Sequence, residues 1–274
     1  MSHFTVLVIG ENPEEQLQPF HEYESTGKLD QYVVFVPAEK TLEELKNKYE
    51  ENKDSYESLD EFVNEWYGYH KNEEGVYGRM TNPNAKWDWY LLGGRWTGFF
   101  KVKDVEEGFI GEPGTMTPKA EQGRLDMCKK KNIDVESMRK DARESAEKEY
   151  DDIHMIINGE EFISWNASRE KFDDIDEARR FYNDQPAVKR VRQEYGSFKN
   201  VDEYLKDRES YVSLAEKSSI STFAVIKDGK WYERGSMGWW GVVTDSKDDW
   251  QEEYAKLFDS IDDEELVSVW DCHI

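Results

Sequence analysis

The chain has 274 residues, 60 of them acidic and 36 basic, and a net charge of -24. Such a charge repels nucleic-acid phosphates and anionic membrane surfaces, so direct nucleic-acid binding is not expected; it favours basic partners, cations or proteins whose own ligand is DNA. A mean hydropathy of -0.91 resembles that of a disordered chain, but 14% of the residues are aromatic, enough rings to build a core.

The opening run Phe4 to Ile9 is apolar on both faces and stops at Gly10 and Asn12-Pro13, which predicts a central strand. A second β-rich run, Tyr32 to Val36, ends at Pro37. Thr41 with Glu44 and Ser58 with Glu61 form two capping boxes, predicting helices to about Asn52 and through Trp66. In the second helix Leu59, Phe62, Val63 and Trp66 share one face, the spacing of a core-facing helix. Trp87–Leu92 and Thr97–Val102 read as strands around Gly93-Gly94, and the glycine- and proline-punctuated stretch 104–117 reads as a mobile loop. A charged helical region is expected from Pro118 to about Asp152, interrupted near Asn132. Helix continues over 173–216 with a break at Pro186, and Asn200 with Glu203 signals the start of a helix carrying Tyr204, Leu205, Tyr211 and Leu214.

Ser221–Ile226 and Lys230–Glu233 form a predicted hairpin across Asp228-Gly229. Trp240–Thr244 is a further strand, Asp248–Ile261 an amphipathic helix and Leu266–His273 a terminal strand. The expected fold class is α+β: a mixed or antiparallel, Trp-rich sheet with helices packed on it. Residues 1–117 form an α+β half, 118–216 a mainly helical insertion, and 217–274 complete the first sheet. A faint internal echo relates Lys86-Trp87, Gly94 and Trp96 to Lys230-Trp231, Gly238 and Trp240.

Cys128 and Cys272 are the only cysteines, which supports no disulfide framework. The N-terminus lacks the charged and apolar segments of a signal peptide, and no apolar run approaches the ~20 residues that span a bilayer. A cytoplasmic protein without membrane association is the expectation.

Three constellations carry chemistry. Asp271 and His273 share one face of the terminal strand, with Cys272 on the other. If that strand lies beside the opening one, His3 approaches His273, and His21 follows in the first loop. The group His3, His21 and His273 suits a divalent metal, the one cofactor the sequence suggests. In an enzyme, His273, Asp271 and His21 would be the catalytic residues, and Cys272 beside a histidine a thiolate nucleophile. A frayed terminal strand with a buried cysteine explains the same residues without any chemistry.

The second constellation is aromatic: Trp87, Trp89, Arg95 and Trp96 in one block, and Trp231, Arg234, Trp239 and Trp240 in another. Indoles stack bases, glycines admit a ligand to the backbone, and arginine pairs with phosphate, together a site for a small nucleotide. A Trp-rich sheet core with glycines at bulges accounts for the same residues. The third is distributed acidity, as in 247–265, which imitates a duplex phosphate array or simply solvates helix faces. No P-loop, dinucleotide fingerprint, HExxH, GxSxG or paired CxxC is present, which weighs against the common hydrolases and against an enzyme.

The segments SHFTVLVIG, NPNAKWDWYLLGGRWTGFF and STFAVIKDGKWYERGSMGWWGVV, with the ending VSVWDCHI, resemble a family of bacteriophage and prophage proteins. The resemblance spans both ends and the middle of the chain. It implies context alone: an accessory protein in an infected bacterium, binding a host protein or a small nucleotide ligand to neutralise a host factor such as an anti-phage defence component. An enzyme of unfamiliar class acting on a nucleotide-like substrate and an acidic DNA mimic are the alternatives.

Overall fold

The computed structural model describes residues 2–238 and 241–274. Its centre is a mixed sheet of eight strands among the described residues. The opening strand, His3–Ile9, and the terminal strand, Leu266–His273, pair antiparallel along their whole length, from His3 opposite His273 to Ile9 opposite Val267. The opening strand also pairs parallel with Ala224–Lys227, which turns into Lys230–Glu233 through Asp228-Gly229. Both turn residues are left-handed, with φ of 52° and 70°, as a two-residue hairpin with the sheet's twist requires. On its other edge the terminal strand pairs with Trp89–Gly94 and, one step along, with Met127–Lys129. The fold class is α+β, as expected, and the expected central strand is central.

Strand alternation divides the core. Phe4, Val6, Val8, Trp270 and Cys272 face Leu17, Phe20 and Trp87 on one side. Leu7, Ile9, Val267 and Val269 face Trp250, Tyr254 and Phe258 of the helix Trp250–Asp259 on the other. A separate helical core forms where the second half of Val135–Ile157 packs on the helices Ile175–Asp184 and Pro186–Tyr195. Pro186 begins the second of these, where its missing N–H costs no hydrogen bond. Among the described residues no helix is long and apolar enough to cross a membrane.

Several local expectations are corrected. The helix expected from Pro118 starts only at Val135; Arg124–Leu125 and Met127–Lys129 are strands, because Met127 and Cys128 find backbone partners on the terminal strand. The stretch 104–117 is not a free loop: Gly108–Phe109 and Glu112–Pro113 join the main sheet. The capping box at Thr41 forms as expected, opening the helix Leu42–Asn52. Ser58 caps Leu59–Tyr67 through the Glu61 N–H, but the box is not closed, because the Glu61 carboxylate accepts from the Glu57 N–H instead of the Ser58 backbone. Phe62 and Val63 of that second helix are buried, but Trp66 is exposed, because among the described residues no element covers the end of its stripe. Tyr204 and Leu205 lie in a 3-10 turn rather than in the helix of Tyr211 and Leu214, which Asp207 caps separately.

Candidate functional site

The pairing of the two chain ends assembles the site. Because antiparallel partners share a face, His3, His273 and Trp89 stand in a row across three adjacent strands. The imidazoles of His3 and His273 meet edge to face with centroids 4.8 Å apart, and the Trp89 indole lies 6.0 Å from His3. Asp271 sits one pleat along on the same face, a diagonal neighbour of His3, and its Oδ1 is 2.7 Å from His3 Nδ1. Asp88, next to the strand end, places its Oδ1 2.6 Å from His273 Nδ1. The result is two carboxylate–imidazole dyads side by side.

In each dyad the carboxylate accepts from Nδ1–H, which fixes the ring's orientation and leaves Nε2 as the second nitrogen. Neither Nε2 has a hydrogen-bond partner among the described residues. The imidazoles are 15% and 14% exposed, enough for a ligand to reach them, whereas the Asp271 carboxylate is 1% exposed. Trp89 is 45% exposed and offers an open ring beside them. Arg95 is exposed as well, and its backbone N–H donates to Asp271 Oδ2 at 2.9 Å.

The segment Gly93–Phe99 is held by two buried aspartates. One is Asp271. The other is Asp126, 0% exposed, which accepts from the N–H groups of Gly98, Phe99 and Gly111 at 2.6, 2.9 and 2.8 Å and from the Thr97 hydroxyl at 3.0 Å. A buried carboxylate is stable only when so satisfied. Gly93 and Gly94 are required by both conformation and space: their φ values are 74° and 54°, and an added methyl group would fall on Asp126 or Asp271 respectively. The glycine block therefore admits two carboxylates to the backbone rather than a ligand.

The other expected residues fall elsewhere. His21 does not join His3 and His273. It is fully buried on the Trp87 side of the sheet, with Nδ1 3.0 Å from Thr26 Oγ1 and Nε2 3.3 Å from Asp30. Its ring is consumed in holding the loop that follows the first helical turn, so the expected three-histidine metal centre does not assemble. Among the described residues no three His, Cys, Asp or Glu side chains are grouped to hold a metal ion. Cys272 does not stand with the histidines: it is buried on the opposite face from them, and burial, with Asp271 adding to it, pushes its thiol well above the ordinary value, which disfavours the reactive thiolate.

The aromatic blocks likewise separate. Trp87 and Trp231 pack into the core beside Phe4 and Phe20, and their indole N–H groups donate to Leu17 O and to Glu233 at 2.9 and 2.8 Å. Trp96 is half-buried beside Phe99 and Arg124, in a hollow of its own. Arg234 is exposed at the end of the hairpin. Trp239 and Trp240 lie outside the described residues, although Gly238 O accepts from, and Gly241 N–H donates to, the hydroxyl of Ser2, next to His3. Asp88 and Asp126 escaped the sequence reading; the one signal for Asp126 was an acidic residue between Leu125 and Met127, amid an apolar alternation.

No protein family, no curated protein and no solved structure matches this chain. The chemistry of the dyads is therefore what points to a function.

Proposed function

We propose that this chain is a phage-encoded accessory protein that captures a small, phosphate-bearing, nucleotide-like ligand at the His3–His273 dyads. Capture would neutralise a host signal or host factor inside the infected cell. The observation that carries this reading is the pair of oriented, partly exposed imidazoles, with the open Trp89 ring beside them and the Arg95 backbone tied to the same carboxylate. A planar base stacks on an indole, and a guanidinium and imidazolium rings, whose Nε2 carries the second proton, donate to phosphate oxygens. The net charge of -24 makes the average surface unfavourable to phosphate.

A second reading is favoured by one feature of the same geometry. Carboxylate-backed imidazoles are the groups of general acid–base catalysis, and two side by side supply an acid and a base together. Turnover of the captured ligand would then follow from capture.

Native mass spectrometry of the protein purified gently from bacterial cells tests both. Retention of a nucleotide by the wild type and its loss in His3→Ala and Trp89→Ala supports capture. Retention unchanged in both variants would refute the site. Incubation of the pure protein with ATP and with bis-p-nitrophenyl phosphate separates the readings: product formation that His273→Ala abolishes indicates catalysis, and an unchanged substrate indicates binding alone.

A further inference from the structure

On the face of the sheet opposite the dyads, the structure leaves a groove of about 740 Å³ open to solvent. Its floor is apolar and aromatic, made by Tyr90, Leu92, Met127, Leu266 and Trp270. These are sheet residues that the short helix Pro13–Leu17 covers only in part, since Leu17 and Phe20 pack further along, over Trp87. The floor continues outward: Phe109 is the antiparallel partner of Met127, so it shares that face, and it is 64% exposed. It is the continuity of Phe109 with the groove floor, more than its own exposure, that makes one apolar surface of the kind that marks an interaction site.

The rim decides which partner. Glu11, Glu14 and Glu15 line one side, all three exposed, and among the described residues no Lys, Arg or His lines the groove. Glu14 lies close enough to the floor that, after burial itself, its charge is the next cause raising the Tyr90 hydroxyl above its ordinary value. Another groove, about 760 Å³ in the helical part, differs in this respect. There Lys171, Lys206 and His154 alternate with Glu160, Glu161 and Asp207, and no single sign prevails.

We propose that the sheet groove docks a short basic, amphipathic segment of a partner protein. An apolar side chain of the segment seats on Leu92, Met127 and Trp270, and flanking lysines or arginines meet Glu11, Glu14 and Glu15. Desolvated apolar contact supplies affinity in such an arrangement, while the charged rim sets partner choice and association rate. The groove and the dyads occupy opposite faces of one sheet, so this inference stands whether or not the dyads bind a nucleotide.

Fluorescence anisotropy of a labelled lysine/leucine peptide against the full chain tests the proposal. Binding is expected, with no binding of a glutamate/leucine peptide of the same pattern. Reversal of the rim (Glu11→Lys, Glu14→Lys, Glu15→Lys) should weaken binding about tenfold or more, and Phe109→Ser should weaken it without altering the charge. A control variant reverses three exposed carboxylates elsewhere, Glu43→Lys, Asp54→Lys and Glu57→Lys, and should weaken binding far less. Equal weakening in both triple variants means attraction to the net charge alone and overturns the proposal, as does absence of peptide binding. Sedimentation showing a dimer that the rim reversal dissociates would assign the groove to a second copy of the chain and would equally overturn it.

Discussion

Carboxylates build both the sheet and the helical part of this molecule, but in opposite ways. In the sheet, Asp126 and Asp271 are buried and accept from backbone N–H groups, so each dictates the path of a chain segment. In the helical part, Glu149 accepts from side chains, whereas Asp202 accepts from one side chain and from the Trp165 backbone N–H at 2.7 Å. Glu149 receives the hydroxyls of Tyr204 and Tyr211, both at 3.1 Å, and the Lys199 ammonium; Asp202 receives the Tyr182 hydroxyl at 2.7 Å. The first arrangement shapes a backbone and presents the dyads. The second fastens together helices whose own shape is already set by caps and periodicity. Removing a backbone acceptor should therefore cost more, and spread further, than removing a side-chain one.

The largest effect is expected for Asp126→Ala. Four donors lose their acceptor at once, three of them backbone N–H groups, and the cost is about 3–5 kcal/mol. A urea titration of the folded chain should show it as a lower midpoint. Limited proteolysis should also cut the stretch 104–117, which Gly111 anchors through Asp126. An unshifted midpoint would break the distinction between the two halves.

Next comes Gly94→Ala, expected to cost about 1–3 kcal/mol, because a left-handed residue gains a side chain where Asp271 stands. Its informative readout is local. In histidine NMR spectra the resonances of His3 should shift with the displaced carboxylate, and those of His154, in the helical part, should not.

Glu149→Gln sharpens the comparison from the other side, with an expected loss of about 1 kcal/mol, discounted for partial exposure. Burial alone would raise this carboxyl, but Lys199 and the two tyrosines outweigh it and hold it below its ordinary value. A depressed carboxyl contributes stability that is fully present above the unfolded pKa, about 4.3, and is lost as pH falls below it through the native value. Melting temperature against pH should thus decline less steeply below about pH 4.3 in the variant than in the wild type.

The smallest effect concerns the thiols. Burial pushes the Cys128 thiol up to about 12, and Cys272 is raised as well. Iodoacetamide at neutral pH should leave both unmodified in the native chain and alkylate both in urea. Rapid native alkylation of Cys272 would return it to consideration as a nucleophile.

Much of this architecture was readable in advance where its cause is local. Thr41 and Ser58 cap their helices as expected because the cap and its partner lie three residues apart. The hairpin at Asp228-Gly229 follows from two residues that tolerate positive φ. Half of the candidate site was readable too: His3 and His273 meet because both end strands are apolar on two faces and each needs covering. Asp88 was not readable, since nothing near it signals that a strand end will bring His273 within 2.6 Å. His21 was misplaced for the converse reason, since its loop folds back under Trp87 rather than toward the sheet ends.

The sequence by itself determined the fold class, the central opening strand, the caps, the hairpin and the sharing of one face by Asp271 and His273. All of these rest on alternation, spacing and turn chemistry within a few residues. Only the tertiary structure decided that Met127–Lys129 is a strand, that Gly93 and Gly94 make room for aspartates, and that two histidines rather than three converge. Those outcomes depend on partners far apart in the sequence, such as the Met127 and Ser268 backbones or the Arg95 N–H and the Asp271 carboxylate, and local propensity carries no information about them.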